Sequence, residues 1–252
     1  MYPLVRAYAQ DQLNTSIEDA VLEPVATATG TGVAGPFTDP AVFIKRQFAD
    51  FAAGTPTAAQ VTTWIGNFEG GTSPATLIET LRKGAAWDGR VGPVTRLYSA
   101  YFLRSPDDDG LEFWVNRSRN GTRLYAISST FAASSEFVRR YGALTNAEFA
   151  ALVYQNVLGR APDPTGLAYW TKQLDKGQTR GRMMVGFSES SEYIRKQAAA
   201  VTVVEIWWGM LKRAPTPGEV TAFSARLQDG TPATTIILEL LASTEYRSVV
   251  LG

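Results

Sequence analysis

The residues best placed to do chemistry in this chain are carboxylates and guanidinium groups. Asp107, Asp108 and Asp109 stand in a row before Gly110, enough negative charge to attract a divalent cation. Arg104, Arg160 and Arg213 each precede a proline by two residues, and Glu136, Glu192 and Glu245 follow the same prolines by thirty. Such a set could bind a polar ligand, or its members could bind one another. Nothing thiol- or imidazole-based competes, because the 252 residues contain no cysteine and no histidine. That excludes disulfides, Cys-His and Ser-His-Asp catalysis, and nearly all structural zinc sites. Glycoside hydrolysis would need two carboxylates facing each other across a cleft, and no pair stands out. No catalytic residue is assigned, and no enzyme activity is expected.

Each acidic candidate also has a structural reading. A helix-loop-helix calcium site alternates its ligands along a turn and closes with a distant bidentate Glu, whereas Asp107, Asp108 and Asp109 are contiguous at a helix start. Carboxylates there are stabilised by the helix dipole without any metal. Calcium therefore stays a candidate ligand of these three residues alone, and no other cofactor is expected. The residue after each proline varies together with the residue three further on: Asp107 with Gly110 and Asp163 with Gly166, but Thr57 with Gln60 and Thr216 with Glu219. The second pairing is a capping box, and both pairings serve a helix start, so Thr57, Asp107, Asp163 and Thr216 are read as helix caps. The Arg and Glu columns are read as a clamp within each repeat, Arg104 to Glu136, Arg160 to Glu192 and Arg213 to Glu245. The first copy lacks both partners together, having Gly54 and Ala86. Were the pair partly buried, stranding one charge would cost several kcal/mol.

These residues sit in a motif written four times, anchored on Pro56, Pro106, Pro162 and Pro215. Eight residues after each proline stands Trp64, Trp114, Trp170 or Phe223; fifteen after, Gly71, Gly121, Gly177 or Gly230; thirty-one after, Trp87, Phe137, Tyr193 or Tyr246. The spacings of 50, 56 and 53 residues imply tandem units that cover one another's apolar faces. In the third copy, Leu152, Val153, Tyr154, Val157 and Leu158 have helical spacing and stop at Gly159. A second helix starts at Asp163 and Pro164, presents Leu167, Trp170 and Leu174, and ends at Gly177. A third is expected over about 179 to 189, and a short fourth from 190. The fold class predicted is all-α: four helical repeats of about fifty residues in a compact array or bundle, over 41–90, 91–145, 146–200 and 201–252. Residues 1–40 carry a predicted helix over 3 to 22 and a Thr- and Gly-rich extended arm from 26.

Composition limits the partners. Lys plus Arg and Asp plus Glu both number 24, so no field steers the chain to nucleic acid, and none is expected as a partner. The longest apolar stretch, Val201 to Leu211, is broken by Glu205 and too short to cross a bilayer, so membrane insertion is not expected. Met1 leads into Tyr2 and Pro3 without a basic segment and apolar run, so no secretory leader is read at this end. Of the 12 Phe, 10 Tyr and 6 Trp, most that recur in columns are read as core, a further column being Phe48, Tyr98, Tyr154 and Trp207. Tyr2, Tyr125 and Trp208 are the rings expected to be exposed.

The segment Tyr154-Gln-Asn-Val-Leu-Gly-Arg-Ala-Pro-Asp-Pro-Thr-Gly-Leu-Ala-Tyr-Trp170, followed by Phe187-Ser-Glu-Ser-Ser-Glu-Tyr193, resembles a bacterial domain-of-unknown-function family, DUF4214. The second copy shares most of this pattern, with Leu103 in place of the family's glycine, and the resemblance extends over 41 to 246. It implies a helical module distantly similar to phycobilisome linker domains, in secreted bacterial proteins often set beside calcium-binding repeats, adhesins or surface-layer segments. It implies no catalytic residues. The expected role is a non-catalytic structural and protein–protein interaction protein of an extracellular bacterial surface assembly or a phage virion, its partners copies of itself or another assembly protein. The alternative is a surface-attached module that binds glycan or cell-wall polymer through exposed rings.

Overall fold

Proline suits the start of a helix better than its interior, and a glycine with positive φ ends one, so each copy of the motif is divided at two fixed places, although the helix Asp88–Phe102 runs through Pro93. A computed structural model describes residues 35–52 and 54–252; the helix predicted over 3 to 22 and most of the predicted arm lie outside them. In the first copy, α1 (Pro40–Gln47) runs into a π-helical turn (Phe48–Ala52), and α2 (Ala58–Glu69) and α3 (Pro74–Arg82) follow. Helix α4 (Asp88–Phe102) closes the first copy and opens the second, which continues with α5 (Asp108–Arg119), α6 (Leu124–Ala132) and α7 (Ser135–Tyr141). The third copy holds α8 (Asn146–Val153) with its π-helical turn (Tyr154–Leu158), α9 (Pro164–Asp175) and α10 (Arg180–Ser188). Helix α11 (Ser191–Leu211) crosses into the fourth, which ends with α12 (Pro217–Gln228), α13 (Ala233–Ala242) and α14 (Thr244–Leu251). The protein is all-α, and no strand occurs among the described residues.

The fourth helix of the third copy is long, not short: α11 has 21 residues. No proline falls between Ser191 and Leu211, and Ala198, Ala199 and Ala200 favour continuation. At the ends of α2, α5, α9 and α12 the column glycines adopt φ near 90° (Gly71 89°, Gly121 90°, Gly177 90°, Gly230 93°). The residue after each donates back to the carbonyl five before it, as in Thr72 to Asn67 at 2.9 Å and Gln178 to Gln173 at 3.0 Å. That is the Schellman closure, and a Cβ would oppose its left-handed backbone.

Within each copy the helix after the proline packs on the helix before it: α2 on α1, α5 on α4, α9 on α8, α12 on α11. Between copies the third helices pair crosswise, α6 against α10 and α3 against α13, while α4 lies against α11. Exchanging copy 1 with 3 and copy 2 with 4 maps these pairings onto themselves. The chain thus comprises two halves, copies 1–2 and copies 3–4, which cover each other. The columns Trp87, Phe137, Tyr193 and Tyr246, and Phe48, Tyr98, Tyr154 and Trp207, are buried, and Trp64, Trp114, Trp170 and Phe223 pack at the margin of the core.

The Phe51 ring of the first copy lies directly over Gly209 of α11, where a Cβ would overlap it. Gly209→Ala is expected to destabilise by roughly 1–3 kcal/mol through overpacking. Gly66, exposed in mid-α2 with nothing near its missing Cβ, is the control. Gly66→Ala is expected to stabilise by about 1 kcal/mol. Urea denaturation of both variants checks the pair; equal signs would contradict this packing.

Candidate functional site

The repeated polar residues turn inward on the chain itself. Thr57 accepts from the Gln60 amide at 3.2 Å and Thr216 from the Glu219 amide at 3.2 Å, each with a reciprocal side-chain bond; Asp107 accepts from Gly110 at 2.9 Å and Asp163 from Gly166 at 2.8 Å. Tertiary packing explains why Asp travels with Gly. A Cβ at Gly166 would stand 2.4 Å from the Tyr154 hydroxyl, and one at Gly110 would stand 2.8 Å from the Asp107 carboxylate and 3.3 Å from the Tyr98 ring. Copies 1 and 4 carry Phe48 and Trp207 in that column, without a hydroxyl to place there, and Gln60 and Glu219 fit.

Arg160 grips Glu192 through two bonds of 2.9 Å, and Arg213 grips Glu245 at 2.6 and 3.1 Å. Arg213 also forks onto Glu219 at 2.8 and 2.7 Å. Burial alone would raise the Glu219 carboxyl, but the Arg213 fork and the Thr216 amide bring it down to about 2. Two expectations need correction. Arg104 donates to the cap carboxylate of Asp107 at 3.0 Å and makes no hydrogen bond to Glu136. Arg160 and Glu192 are 46% and 41% exposed, so their pair is a surface contact and stranding one charge is cheap. Arg104 and Arg160 also lie over the Tyr98 and Tyr154 rings, 5.1 and 5.3 Å from the centroids.

Two of the three acidic residues at the start of α5 accept from protein donors. Asp107 takes Gly110, Arg104 and, at 3.5 Å, the Tyr98 hydroxyl, and Asp108 accepts from the Ala214 amide of the fourth copy. Among the described residues no three metal-ligating side chains gather, Asp107, Asp108 and Asp109 included. The strap from Asp108 to Ala214 crosses a cleft of about 540 Å³ between the second and fourth proline loops. Its walls include Leu103, Pro106, Pro215 and Val220. Leu103 stands in the left-handed region at φ 57° and is half exposed, an unusual conformation for a branched apolar side chain.

A buried group of charged side chains lies where the two halves meet. Glu205 of α11 is fully buried, and one of its oxygens accepts from Arg82 at the end of α3. Arg82 also forks onto Glu79 at 2.8 and 2.9 Å. Burial pushes the Glu205 carboxyl up, to about 8; Arg82 pulls it down by less, and the nearby Asp88 raises it further. Gly92 of α4 leaves room for this cluster, since a Cβ there would stand 3.2 Å from Asp88 and 3.4 Å from Glu205. At the corresponding position of the other pairing, Arg96 of α4 forks onto Glu189 at the end of α10, at 3.0 and 2.7 Å. The same site in the two pairings is thus bridged with opposite charge order. Sequence reading missed this cluster; its one signal was Glu205 as the single charge inside Val201 to Leu211.

Of the rings expected outside, Tyr125 is half exposed with its hydroxyl 3.2 Å from that of Thr179, Trp208 is partly buried against the core, and Tyr2 lies outside the described residues. Phe113 and Tyr169 are more exposed, each set edge-on to the neighbouring Trp114 or Trp170 at 4.7 and 5.2 Å. No helix among the described residues is long and apolar enough to cross a membrane.

The model of a family described as Domain of unknown function (DUF4214) matches residues 128–197. The matched stretch runs from α6 through the third copy to the first turns of α11, where the motif is most specific, and is narrower than the 41 to 246 over which the motif recurs. No curated protein and no solved structure matches the chain.

Arg82→Met should cost roughly 3 kcal/mol, the low end for a stranded buried partner, because Glu205 can hold its proton and Glu79 keeps Lys83 as a partner. Arg160→Met should leave the melting temperature nearly unchanged. Thermal denaturation of both, side by side, reads the contrast, and a larger loss at Arg160 would reverse the ranking. Glu205 and Glu219 also set the pH dependence in opposite senses. Glu205 is raised in the fold, so its contribution is complete below its ordinary value of 4.5 and lost as pH climbs through about 8. Glu219 is lowered, so its contribution is present above 4.5 and lost as pH falls toward about 2. Melting temperature should decline from pH 5 to pH 8.5 in the native chain, and Glu205→Gln should flatten that limb.

Proposed function

We propose that the chain is a non-catalytic structural and protein–protein interaction element of an extracellular bacterial surface assembly or a phage virion. The observation that carries the reading is a difference between inner and outer copies at equivalent exposed positions. Seven residues after the proline the inner copies have Phe113 and Tyr169, 49% and 54% exposed, where the outer copies have Thr63 and Ala222. Thirty-two after, the inner copies have Val138 and Ile194, 52% and 39% exposed, where the outer copies have Asp88 and Arg247. Covering Phe113, Tyr169, Val138 and Ile194 against a partner would return roughly 25 cal/mol for each Å² removed from water. The recurring polar residues, by contrast, cap helices and join loops within the chain, which leaves the surface to contact and not to turnover.

A second reading is favoured by the same two rings. Phe113 and Tyr169, held edge-on to their tryptophans, are suited to stack on the faces of sugar rings of a surface glycan or cell-wall polymer.

Size-exclusion chromatography coupled to light scattering, over a range of protein concentrations and with and without calcium, separates the readings. Assembly predicts a mass that rises with concentration. It should fall to that of a monomer when Phe113, Val138, Tyr169 and Ile194 are all replaced by Ser with the helical circular dichroism unchanged. A native chain that stays monomeric throughout, yet retains a glycan that Phe113→Ser with Tyr169→Ser releases, would favour the second reading and defeat self-assembly.

A further inference from the structure

The three junctions between successive copies are not alike. At two of them the last helix of one copy continues unbroken into the first helix of the next, as α4 and α11. Between copies 2 and 3 the helix stops at Tyr141, the chain turns through residues 142–145, and α8 begins at Asn146. This bend is the one covalent connection between the two halves.

Three devices hold it. Thr145 and Glu148 form a capping box that starts α8, the Thr145 amide donating to Glu148 at 2.8 Å. Gly142 is packed so that a Cβ would overlap the Val138 carbonyl. Arg180 of α10 donates to the carbonyls of both Tyr141 and Leu144 while its guanidinium lies 4.6 Å from the Phe149 ring centroid. A continuous helix through the junction would satisfy those carbonyls by itself, as α11 does at the junction of copies 3 and 4.

The facing surfaces of the halves are complementary in charge. The first half supplies Arg82 and Arg96 to Glu205 and Glu189 of the second, and in the reverse order Asp50 of the first half pairs with Lys212 of the second at 2.8 Å. Two first halves, or two second halves, would lack these oppositely charged partners. A first half accepts only a second half, but nothing in the contact requires that both belong to one chain.

We propose that the chain exchanges halves with a second copy of itself. The segment 142–145 opens, and the second half of each chain docks on the first half of the other to give a closed two-fold dimer. Every contact between halves re-forms in the dimer, and only those at the bend are given up. The inference deepens the assembly reading above and rests on it, naming the partner as a second copy and the surface as the one that closes the monomer.

The test uses two full-length variants, Arg96→Glu and Glu189→Arg. Refolded alone, each opposes like charges whether it closes on itself or exchanges with its own kind. Refolded together, the two can form a reciprocal heterodimer in which the introduced charges meet at one interface and the native Arg96 and Glu189 pair at the other. Native mass spectrometry should show the one-to-one heterodimer as the main oligomer, with a melting temperature above that of either variant. Two separate monomers, both folded by circular dichroism, would overturn the proposal. Should either variant fail to fold, the otherwise native chain bearing Tyr125→Cys and Thr179→Cys can be refolded at high concentration and treated with a short bis-maleimide. Exchange gives a product of twice the chain mass, increased by adding Arg180→Met; crosslinks confined to single chains would overturn it. Oligomers that depend on Phe113 and Tyr169 without reciprocal heterodimers would leave the assembly reading standing and remove half exchange.

Discussion

The contact of α4 with α11 is the one on which the remaining helices depend. Each long helix belongs to two copies at once, so their packing joins all four, and the crosswise pairings of α6 with α10 and α3 with α13 flank it. A carboxyl, that of Glu205, sits in the middle of this contact, closed off from solvent. Glu205 is tolerated because Arg82 reaches it from the facing half and because burial and Asp88 keep its proton on through neutral pH. An apolar residue there would pack more simply. What the Arg96–Glu189 and Lys212–Asp50 pairs beside it add is a choice of partner, since each joins opposite charges from different halves.

Away from that contact the electrostatics act locally. The Arg160 and Glu192 pair joins the proline loop to the next helix at the surface, where water screens it and its members cost little to lose. Arg213, less exposed and shared between Glu219 and Glu245, ties the cap of α12 to α14. Arg104 shows that the same column takes a different partner when a cap carboxylate is within reach. In the three copies that carry it, the cation beside the proline is more regular than the anion that receives it.

Inner and outer copies differ by more than their caps. The tyrosines of the inner copies, the glycines they require and the Asp caps form one packed unit, and Phe48 or Trp207 with Gln60 or Glu219 and a Thr cap form another. Phe113 with Tyr169 and Val138 with Ile194 follow the inner unit, so at these positions the copies that pack alike also present alike to the solvent.

The sequence by itself determined what depends on near neighbours along the chain. Cap residues, the proline breaks, the left-handed glycines of the Schellman closures and the apolar stripes act within a few residues, and each was legible from spacing. Even the bend between the halves was foreshadowed by the 56-residue spacing from Pro106 to Pro162, longer than the 50 and 53 of the other two. Only the tertiary structure decided which copies cover one another, why Gly110 and Gly166 must be glycine, that Arg104 leaves Glu136, and that Glu205 meets Arg82 across more than a hundred residues. The physical reason is the range of the interactions. A cap or a turn is satisfied within one segment, whereas a buried charge, a ring packed over a missing Cβ and the pairing of two halves depend on what another part of the chain brings to the same place.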